Sequence, residues 1–328
     1  MGVVRVSDGQ GVCVVIAAYG AEGTIGRAVA SALAQPEVVE VLVVDDASPD
    51  STAAAARTAD DGSGRLTVLR LPTNAGPSAA RNLAIGRSTA PLLAVLDADD
   101  FVLPGRFAAL LAEPDWDLVA DNIAFVDETD AHSIDPGPIT AHRTKPRSLS
   151  PADFVRGSVT RIGRYKGELA FLKPVIRRAF LDAHALRYAE DMRLAEDYDL
   201  YLRALTAGAR FRVIGGCGYV AVERRGSLSH AHGAADLGRF ERAIRRALKA
   251  APGDAELRGQ LRRHLRQTTR RRRHRALLDR KREVGLLRAL AEQAREPVGL
   301  LRSLADVARD KLRPAPPTPE RSGPRFLL

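Results

Sequence analysis

Residues 92–100 read Leu-Leu-Ala-Val-Leu-Asp-Ala-Asp-Asp, an apolar run that ends abruptly in three carboxylates. The apolar part is typical of a strand that is buried on both faces of a sheet. Buried charge is costly unless it is paired or bound to a metal. Asp97, Asp99 and Asp100 therefore predict a cation at the end of this strand and, with the cation, a bound phosphate.

The sequence before this stretch alternates between apolar runs and segments with helical spacing. The apolar runs lie at 12–18, 38–45 and 66–70, and the helical segments lie at 24–34, 51–59 and 77–86. This alternation predicts an α/β fold with a Rossmann-like, mostly parallel sheet and helices on both faces. Ligands of such sheets bind beyond the carboxyl ends of the strands, where Asp46 and the three carboxylates of 92–100 fall.

The pattern becomes less regular after the carboxylates. We predict strands at 117–126 and 210–222, helices at 151–156, 174–184 and 196–207, and a polar surface loop over 128–150. Residues 236–313 are predicted to be largely helical, with breaks near Pro252–Gly253 and Pro297.

Charge is distributed unevenly along the 328 residues, whose net charge is +10. Residues 1–235 hold 25 Lys or Arg against 29 Asp or Glu, whereas residues 236–313 hold 23 against 10. We therefore expect a core domain over 1–235, a basic amphipathic helical region over 236–313 and a Pro-rich disordered tail over 314–328. Cys13 and Cys217 indicate no disulfide framework, and we find neither a signal peptide nor a run of ~18 apolar residues.

Two kinds of nucleotide site are weighed against the motifs. Gly20, Gly23 and Gly26 superficially resemble a dinucleotide fingerprint, but that fingerprint needs two glycines separated by one residue. Asp-x-Asp-Asp suits metal-assisted phosphate binding, since Mg²⁺ and Mn²⁺ are commonly held by one or two carboxylates and the phosphates of a substrate. A solvated Asp-rich turn is the alternative for the motif alone. The Asp-x-Asp-Asp motif follows a buried strand, and a second Asp-Asp ends a neighbouring strand at 45–46. Both positions favour the metal site over the solvated turn.

Several segments, in order, resemble the nucleotide-binding half of a family 2 glycosyltransferase with the GT-A fold. Within residues 12–106 these are VVIAAYGAEGTIGRAVASALAQ, VLVVDDASPDST, NAGPSAARN and LLAVLDADDFVLPGR. A looser similarity to the bacterial exopolysaccharide branch, and to glucosyltransferases of succinoglycan-type assembly, continues to about 230. It rests on WDLVADNIAFVDE, FLKPVIRRAFLDAHALRYAEDMRLAEDYDLYLRAL and ERRGSLSH. The resemblance implies a UDP-sugar donor, with glucose as the expected sugar, and Mg²⁺ or Mn²⁺ as cofactor.

The resemblance also implies roles for residues around the nucleotide. Ala17 and Tyr19 line the uridine pocket, and Asp46 accepts a hydrogen bond from the uracil N–H. Arg81 either reaches the nucleotide and its phosphates or pairs with one of the neighbouring carboxylates.

The three clustered carboxylates are assigned by the same resemblance. Asp97 and Asp99 lie near the ribose and the diphosphate, and Asp99 and Asp100 are the candidate metal ligands. Asp-x-Asp-Asp offers two registers, so the division of roles between its carboxylates stays open at this point.

The general base implied by the resemblance is Asp197, in the sequence Ala-Glu-Asp-Tyr-Asp-Leu. A single base opposite the leaving diphosphate implies in-line displacement with inversion at the sugar carbon. Asp199 is the rival base, but on a helix it points about 200° away from Asp197. Ordinary negative charge at a helix N-terminus is the alternative explanation for Glu196 and Asp197.

A short basic loop follows the last predicted strand of the core. Arg224, Arg225 and Ser227 are candidates for closing over the donor diphosphate, as Arg and Ser donors do for phosphates. Glu196 is placed with them as a candidate diphosphate or acceptor contact. A solvated surface loop is the alternative for each member.

The basic region 236–313 has three competing interpretations. A face attracted to anionic lipid suits an enzyme whose acceptor is a polyprenyl-diphosphate-linked oligosaccharide, at ~1 kcal/mol for each basic residue near the surface. Nucleic-acid binding is not expected, because no stacking aromatics interleave the Arg run at 270–275. A plain solvated face is the third interpretation.

The interpretation that we carry forward is a peripheral glycosyltransferase at the cytoplasmic face of the plasma membrane, acting in exopolysaccharide biosynthesis. The alternative from another class is a non-catalytic nucleotide-sugar-binding or basic nucleic-acid-binding protein.

Overall fold

The computed structural model of the protein describes residues 11–159, 168–224, 233–285, 288 and 323–328. The chain divides into two compact units, which are described separately. The first unit contains the described residues up to Arg224 together with 323–328, and the second contains 233–285. The predicted boundary between 235 and 236 stays a prediction.

Four parallel strands form one half of the sheet in the first unit. They are β1 (Val12–Ala18), β2 (Val38–Asp45), β3 (Leu66–Arg70) and β4 (Leu92–Val95), in the spatial order β3-β2-β1-β4. In this register Ala18 lies beside Asp45, and Val15 lies beside Val95. The strands therefore end at one common edge, as the alternation of apolar and helical segments predicted.

Helices connect these strands and cover the sheet. They are α1 (Ile25–Leu33), α2 (Thr52–Thr58) and α3 (Pro77–Arg87). Pro77 stands in the first turn of α3, where its missing N–H would have no partner in any case. The predicted positions of all three helices are confirmed to within a few residues.

The second half of the sheet is built on a long parallel pair. β6 (Leu118–Asp127) runs beside β9 (Phe211–Glu223), and β8 (Val175–Arg177) lies antiparallel between β4 and β6. The full order is β3-β2-β1-β4-β8-β6-β9-β5, with β5 at Phe101–Val102 and β7 (Arg147–Leu149) pairing with β9. The remaining helices of this unit are α4 (Arg106–Leu111), α5 (Gly137–Ala141), α6 (Pro151–Gly157), α7 (Arg178–Ala183) and α8 (Glu196–Thr206). The predicted α/β fold with a mostly parallel, mixed sheet is confirmed.

Two predictions in this half are wrong. The helix expected over 174–184 begins only at Arg178, because Val175–Arg177 pair with strands on both sides, and that pairing outweighs helical spacing. The loop expected over 128–150 contains α5 and β7, because Ile139 and Leu149 are buried against the sheet and order the segments around them.

The disordered tail expected over 314–328 is wrong for its last six residues. There β10 (Arg325–Phe326) pairs antiparallel with Phe125 and Ala124 of β6, beyond the point where β8 leaves that edge. The side chain of Asn122 bonds to both backbone groups of Leu328, at 2.9 and 3.1 Å. These bonds, with the burial of Leu327, hold a segment that its proline-rich neighbours would leave free. Residues 314–322 lie outside the described residues.

The second unit contains a pair of long helices. These are α9 (Ala234–Ala250) and α10 (Ala255–Val284), so the predicted break at Pro252–Gly253 is confirmed. The Asp254 carboxylate accepts the N–H of Leu257 at 2.8 Å and caps α10. Within the described part of the chain, no helix is long and apolar enough to cross a membrane. The predicted break at Pro297 lies outside the described residues.

Candidate functional site

Asp46 follows β2 at the common edge of the parallel strands. Its backbone N–H donates to the Ala18 carbonyl at 2.8 Å, and its carboxylate accepts the N–H groups of Ala75 and Gly76 at 2.7 and 2.8 Å. Gly76 has a φ of +93°, which a side chain would strain. Asp46 therefore holds the loop that leads into α3. Its predicted contact with uracil stays a prediction.

Tyr19 follows β1 by one residue, at the same edge of the sheet as Asp46. Tyr19 is 48% exposed and is one of two large hydrophobic residues exposed among those that the structure describes. Gly20, with a φ of +62°, turns the chain there and donates its N–H to the Ser48 hydroxyl at 3.1 Å. The aromatic face of Tyr19 is thus available to a planar ring, and Ala17 is partly exposed beside it.

Asp97 is held by two cations at the end of β4. One carboxylate oxygen lies 2.9 Å from Arg81 Nη2, and the other lies 2.9 Å from Lys173 Nζ. Burial alone would raise the pKa of Asp97, but the attraction of Lys173 and Arg81 lowers it to about 2. Arg81 thus forms the carboxylate pair that was one of its two predicted roles.

Asp99 and Asp100 lie in different surroundings. The Asp100 side chain is buried, and its two oxygens accept the Tyr219 hydroxyl at 2.7 Å and the Val222 N–H at 2.9 Å. The Asp99 side chain is 36% exposed and lies 3.3 Å from Arg224 Nη2. Burial and the neighbouring carboxylates raise the pKa of both residues, and the rise is larger for Asp100.

Arg224 brings the end of β9 to the clustered carboxylates. Besides its contact with Asp99, it donates to the Thr24 hydroxyl at 3.1 Å, just before α1. Arg224 thus lies beside Asp99, and its predicted contact with the diphosphate stays a prediction. Arg225 and Ser227 lie outside the described residues.

Glu196 and Asp197 begin α8, on the other side of Arg81. Ala195 before them has a φ of 59°, a strained conformation for a residue with a side chain. Glu196 Oε1 lies 2.9 Å from Arg81 Nη1, and Asp197 Oδ2 lies 2.9 Å from Lys173 Nζ. Asp197 Oδ1 is buried without a hydrogen-bond partner, and its nearest described cation is Arg81 at 3.6 Å.

The rival base has a different environment. Asp199 accepts a hydrogen bond from Arg203 Nε at 2.8 Å, within α8. Asp199 and Arg203 are one turn apart on α8, whereas Asp197 is joined to Lys173 and lies near Arg81. The structure thus brings Asp197 close to Asp97, because Lys173 contacts both carboxylates.

The sequence interpretation missed two residues of the site, Lys173 and Tyr219. Lys173 gave one weak signal, a single charge in the apolar run Ala170–Ile176. Tyr219 gave none, because a tyrosine in a predicted strand is ordinarily a core residue. We call Arg81, Asp97, Lys173, Glu196 and Asp197 the charged cluster.

The donor set at the strand edge fits a divalent cation that is shared with a substrate. The described residues contain no group of three or more His, Cys, Asp or Glu side chains able to hold a metal ion. Asp99 offers a partly exposed carboxylate whose pKa is raised by its burial and by Asp97. One such carboxylate plus phosphate oxygens is a common arrangement for Mg²⁺ and Mn²⁺. Asp100 is less suited, because both of its oxygens already accept hydrogen bonds.

Comparisons with known proteins agree with the fold. The profile of glycosyl transferase family 2 matches residues 13–166. The chain is 50% identical over 278 residues to the succinoglycan biosynthesis protein ExoU of Rhizobium meliloti (strain 1021), covering 85% of this chain and 81% of that protein. It is 37% identical over 219 residues to the succinoglycan biosynthesis protein ExoO of the same strain, covering 66% and 61%.

Among solved structures, the fold is similar to S. aureus TarS. The crystal structure of TarS residues 1–349 in complex with UDP-GlcNAc aligns with a TM-score of 0.60 at 19% identity, over 80% of this chain and 72% of that one. At this identity the likeness concerns the fold. The sequence matches decide the family, and this chain belongs to glycosyltransferase family 2.

Proposed function

We propose that the protein transfers a sugar, with glucose as the expected one, from a UDP-sugar to a polyprenyl-diphosphate-linked oligosaccharide in exopolysaccharide biosynthesis. The relatives named for succinoglycan biosynthesis support the pathway class. TarS, solved with UDP-GlcNAc and with UDP, supports the nucleotide class of the donor. The observation that carries the proposal concerns Asp197, a member of the charged cluster. Its Oδ1 is buried and has no hydrogen-bond partner.

The donor would lie along the edge where the parallel strands end. Tyr19 offers an exposed aromatic face to the base, and Asp46 lies at the same edge to receive a ring N–H. Arg224 is placed to donate to the diphosphate, and Asp99 would hold Mg²⁺ or Mn²⁺ there. When bound, the cation neutralises charge that develops on the departing diphosphate.

Asp197 would act on the acceptor. Its Oδ1 takes the proton of an acceptor hydroxyl while that oxygen forms a bond to the anomeric carbon of the sugar. The bond from that carbon to the diphosphate oxygen breaks, and its electron pair leaves with UDP. A single displacement of this kind inverts the configuration, so an α-linked donor gives a β-linked product.

The test compares two neighbouring carboxylates. Asp197→Asn should lower kcat for transfer from UDP-glucose by about 10²–10⁴-fold, because it removes the base while keeping the size and shape of the side chain. Asp199→Asn is the comparison and should retain activity within about tenfold, because the Asp199 carboxylate accepts a hydrogen bond from Arg203 of the same helix and asparagine can still accept it. UDP affinity should be nearly unchanged in both.

Two results would contradict this function. An Asp197→Asn protein with full transferase activity would exclude Asp197 as the base. UDP binding without any transfer by the wild-type protein, across a panel of UDP-sugars and lipid-linked acceptors, would favour the non-catalytic nucleotide-sugar-binding protein.

We also propose that the second unit binds anionic phospholipid, which would place the enzyme at the cytoplasmic face of the plasma membrane. In α10 the side chains of Leu257, Leu261, His264 and Thr268 are buried at helical spacing on one face. Exposed basic side chains therefore occupy other faces of this helix. These include Arg262, Arg263, Arg266, Arg271, Lys281 and Arg282. Basic helices of this kind are attracted to anionic surfaces.

A further inference from the structure

Lys173 is a buried cation between two carboxylates that come from opposite sides of the charged cluster. Its Nζ lies 2.9 Å from Asp97 Oδ2 and 2.9 Å from Asp197 Oδ2. A buried ammonium group is costly unless such partners compensate it. The proposed chemistry uses Asp197 on the acceptor, and the sequence resemblance places Asp97 near the ribose and the diphosphate, but neither gives Lys173 a role.

The fold fixes where this lysine can be. β8 pairs antiparallel with β4, with Val175 beside Ala94, so Lys173 lies just beyond that pairing, on the side where Asp97 follows β4. The Lys173 carbonyl accepts a hydrogen bond from Arg106 Nη2 at 2.6 Å. Pairing of the adjacent strand and this hydrogen bond hold the backbone of Lys173, so the starting point of its side chain is fixed.

Arg106 is itself held in place. It forms a buried ion pair with Asp121 at 2.9 Å. Gly218 makes room for it, because a Cβ at that position would lie 2.9 Å from the Arg106 side chain. The same glycine donates its N–H to Asp121 at 2.6 Å. Two strands and a buried ion pair thus determine the position from which Lys173 reaches the carboxylates.

The contact with Lys173 divides the two oxygens of Asp197 into different roles. Oδ2 receives the ammonium group, whereas Oδ1 has no hydrogen-bond partner and is 3.6 Å from Arg81 Nη1. A carboxylate held by one oxygen cannot rotate freely about its terminal bond. The other oxygen therefore keeps one direction, which is what a proton acceptor at an enzyme site requires.

We propose that Lys173 is a positioning residue that fixes the Asp197 carboxylate relative to Asp97. The same ammonium group touches the carboxylate on the donor side and the carboxylate on the acceptor side. It therefore sets the distance between the bound nucleotide-sugar and the oxygen that takes the acceptor proton. This inference rests on the proposed function of Asp197.

The test removes the ammonium group and then returns it from solution. Lys173→Ala in the full chain should lower kcat for transfer from UDP-glucose by about 10²-fold, while KM for the donor changes less than about threefold. Propylammonium replaces the missing part of the side chain. It should raise the kcat of Lys173→Ala by at least about tenfold. Tetramethylammonium has the same charge but no N–H donors, and should restore nothing.

Controls separate positioning from a general loss of structure. Lys145 is an exposed lysine of the same unit, so Lys145→Ala should keep wild-type kcat and show no response to propylammonium. Lys173→Met keeps the volume of the side chain without its charge. If Lys173→Ala does not fold, this variant takes its place, and it should lose kcat with donor affinity within about threefold of wild type.

Three outcomes would overturn the inference. These are wild-type kcat in Lys173→Ala or Lys173→Met, equal responses to the two ammonium ions, and a loss confined to KM. Each is distinct from a failure of the proposed function, which would appear as absence of transfer by the wild-type protein in the same assay.

Discussion

At the scale of single residues, sequence neighbours in this site differ by their partners. Asp97 is paired with two cations and has a pKa lowered to about 2, whereas the pKa of Asp99 is raised by burial and by Asp97. Asp100 has a raised pKa as well, but the Tyr219 hydroxyl and the Val222 N–H occupy its oxygens. Only Asp99 of the three combines an unfavourable negative charge with access to solvent. A divalent cation would relieve that cost.

We therefore predict that Asp99 carries the response of the protein to Mg²⁺ or Mn²⁺. In the presence of UDP, either cation should raise the Tm of the wild-type protein, since a ligand that binds the folded state stabilises it. Asp99→Asn should keep its fold and lose most of that increase. Differential scanning fluorimetry with and without EDTA measures the effect.

Asp115→Asn is the matched control for this substitution. Asp115 has an exposed side chain and a φ of 52°, a conformation that asparagine tolerates well. It should show the wild-type response to the cation. An undiminished increase in the Tm of Asp99→Asn would exclude Asp99 as the main metal ligand.

At the scale of elements, the helix pair of the second unit buries a titratable group. His264 of α10 packs edge-on against the Phe240 ring of α9, with ring centroids 5.2 Å apart. Its side chain is 6% exposed, and burial, with a smaller contribution from Arg271, lowers its pKa to about 4. In the unfolded chain the group has an ordinary pKa near 6.5. Folding is therefore linked to the loss of a proton from His264.

This linkage predicts that the helix pair weakens in acid. The folded pKa is depressed, so the contribution is fully present above pH 6.5 and is lost as the pH falls toward 4. At pH 5 the cost is about 2 kcal/mol, which corresponds to about thirtyfold less protection of amides against hydrogen exchange. Hydrogen exchange of peptides from 233–285 at pH 7.5 and 5, corrected for intrinsic rates, measures it.

His264→Leu serves as the comparison, because leucine is apolar and does not titrate. It should reduce the difference in protection between the two pH values by most of that factor. If wild type and variant lose protection equally, the acid sensitivity belongs to other groups and the linkage to His264 is wrong.

At the scale of the whole molecule, charge separates along the chain. The residues 1–235 carry slightly more acidic than basic groups, whereas 236–313 carry 23 Lys or Arg against 10 Asp or Glu. Some of the basic side chains are used within the second unit, as where Arg272 and Arg245 both pair with Glu241 at 2.7 Å. Others are exposed on α10. Exposed positive charge is attracted to an anionic surface, and this attraction is the basis of our proposal that the second unit binds anionic phospholipid.

We predict that the full chain sediments with vesicles containing phosphatidylglycerol and not with vesicles of phosphatidylcholine alone. Binding should fall steeply between about 0.1 and 1 M salt, because the screening length shrinks from about 10 to 3 Å. Changing Arg262, Arg263 and Arg266 together to Gln should weaken it by about 10²-fold, at ~1 kcal/mol for each. Equal sedimentation with both vesicle types would contradict the lipid proposal and favour a solvated face.

Much of the fold was predictable because its signals are local. Apolar runs and helical spacing located β1 to β4 and α1 to α3, and the right-handed connections of such units bring the strand ends to one edge. The failures came where pairing partners are remote. Val175–Arg177 became a strand because β4 and β6 lie on either side, and residues 323–328 are ordered because an edge of β6 is open to them.

For the site, the residue types and their common edge are readable in the sequence. Asp46, Asp97, Asp99 and Asp100 follow buried strands, and Asp197 begins a helix. Their partners depend on the folded chain. Arg81 contacts Asp97 and also Glu196, 115 positions further along the chain than Arg81, and Lys173 joins Asp97 to Asp197. The physical reason is that burial and opposite charge, which set the pKa and orientation of a carboxylate, come from segments remote in sequence that only the folded sheet brings within 3 Å.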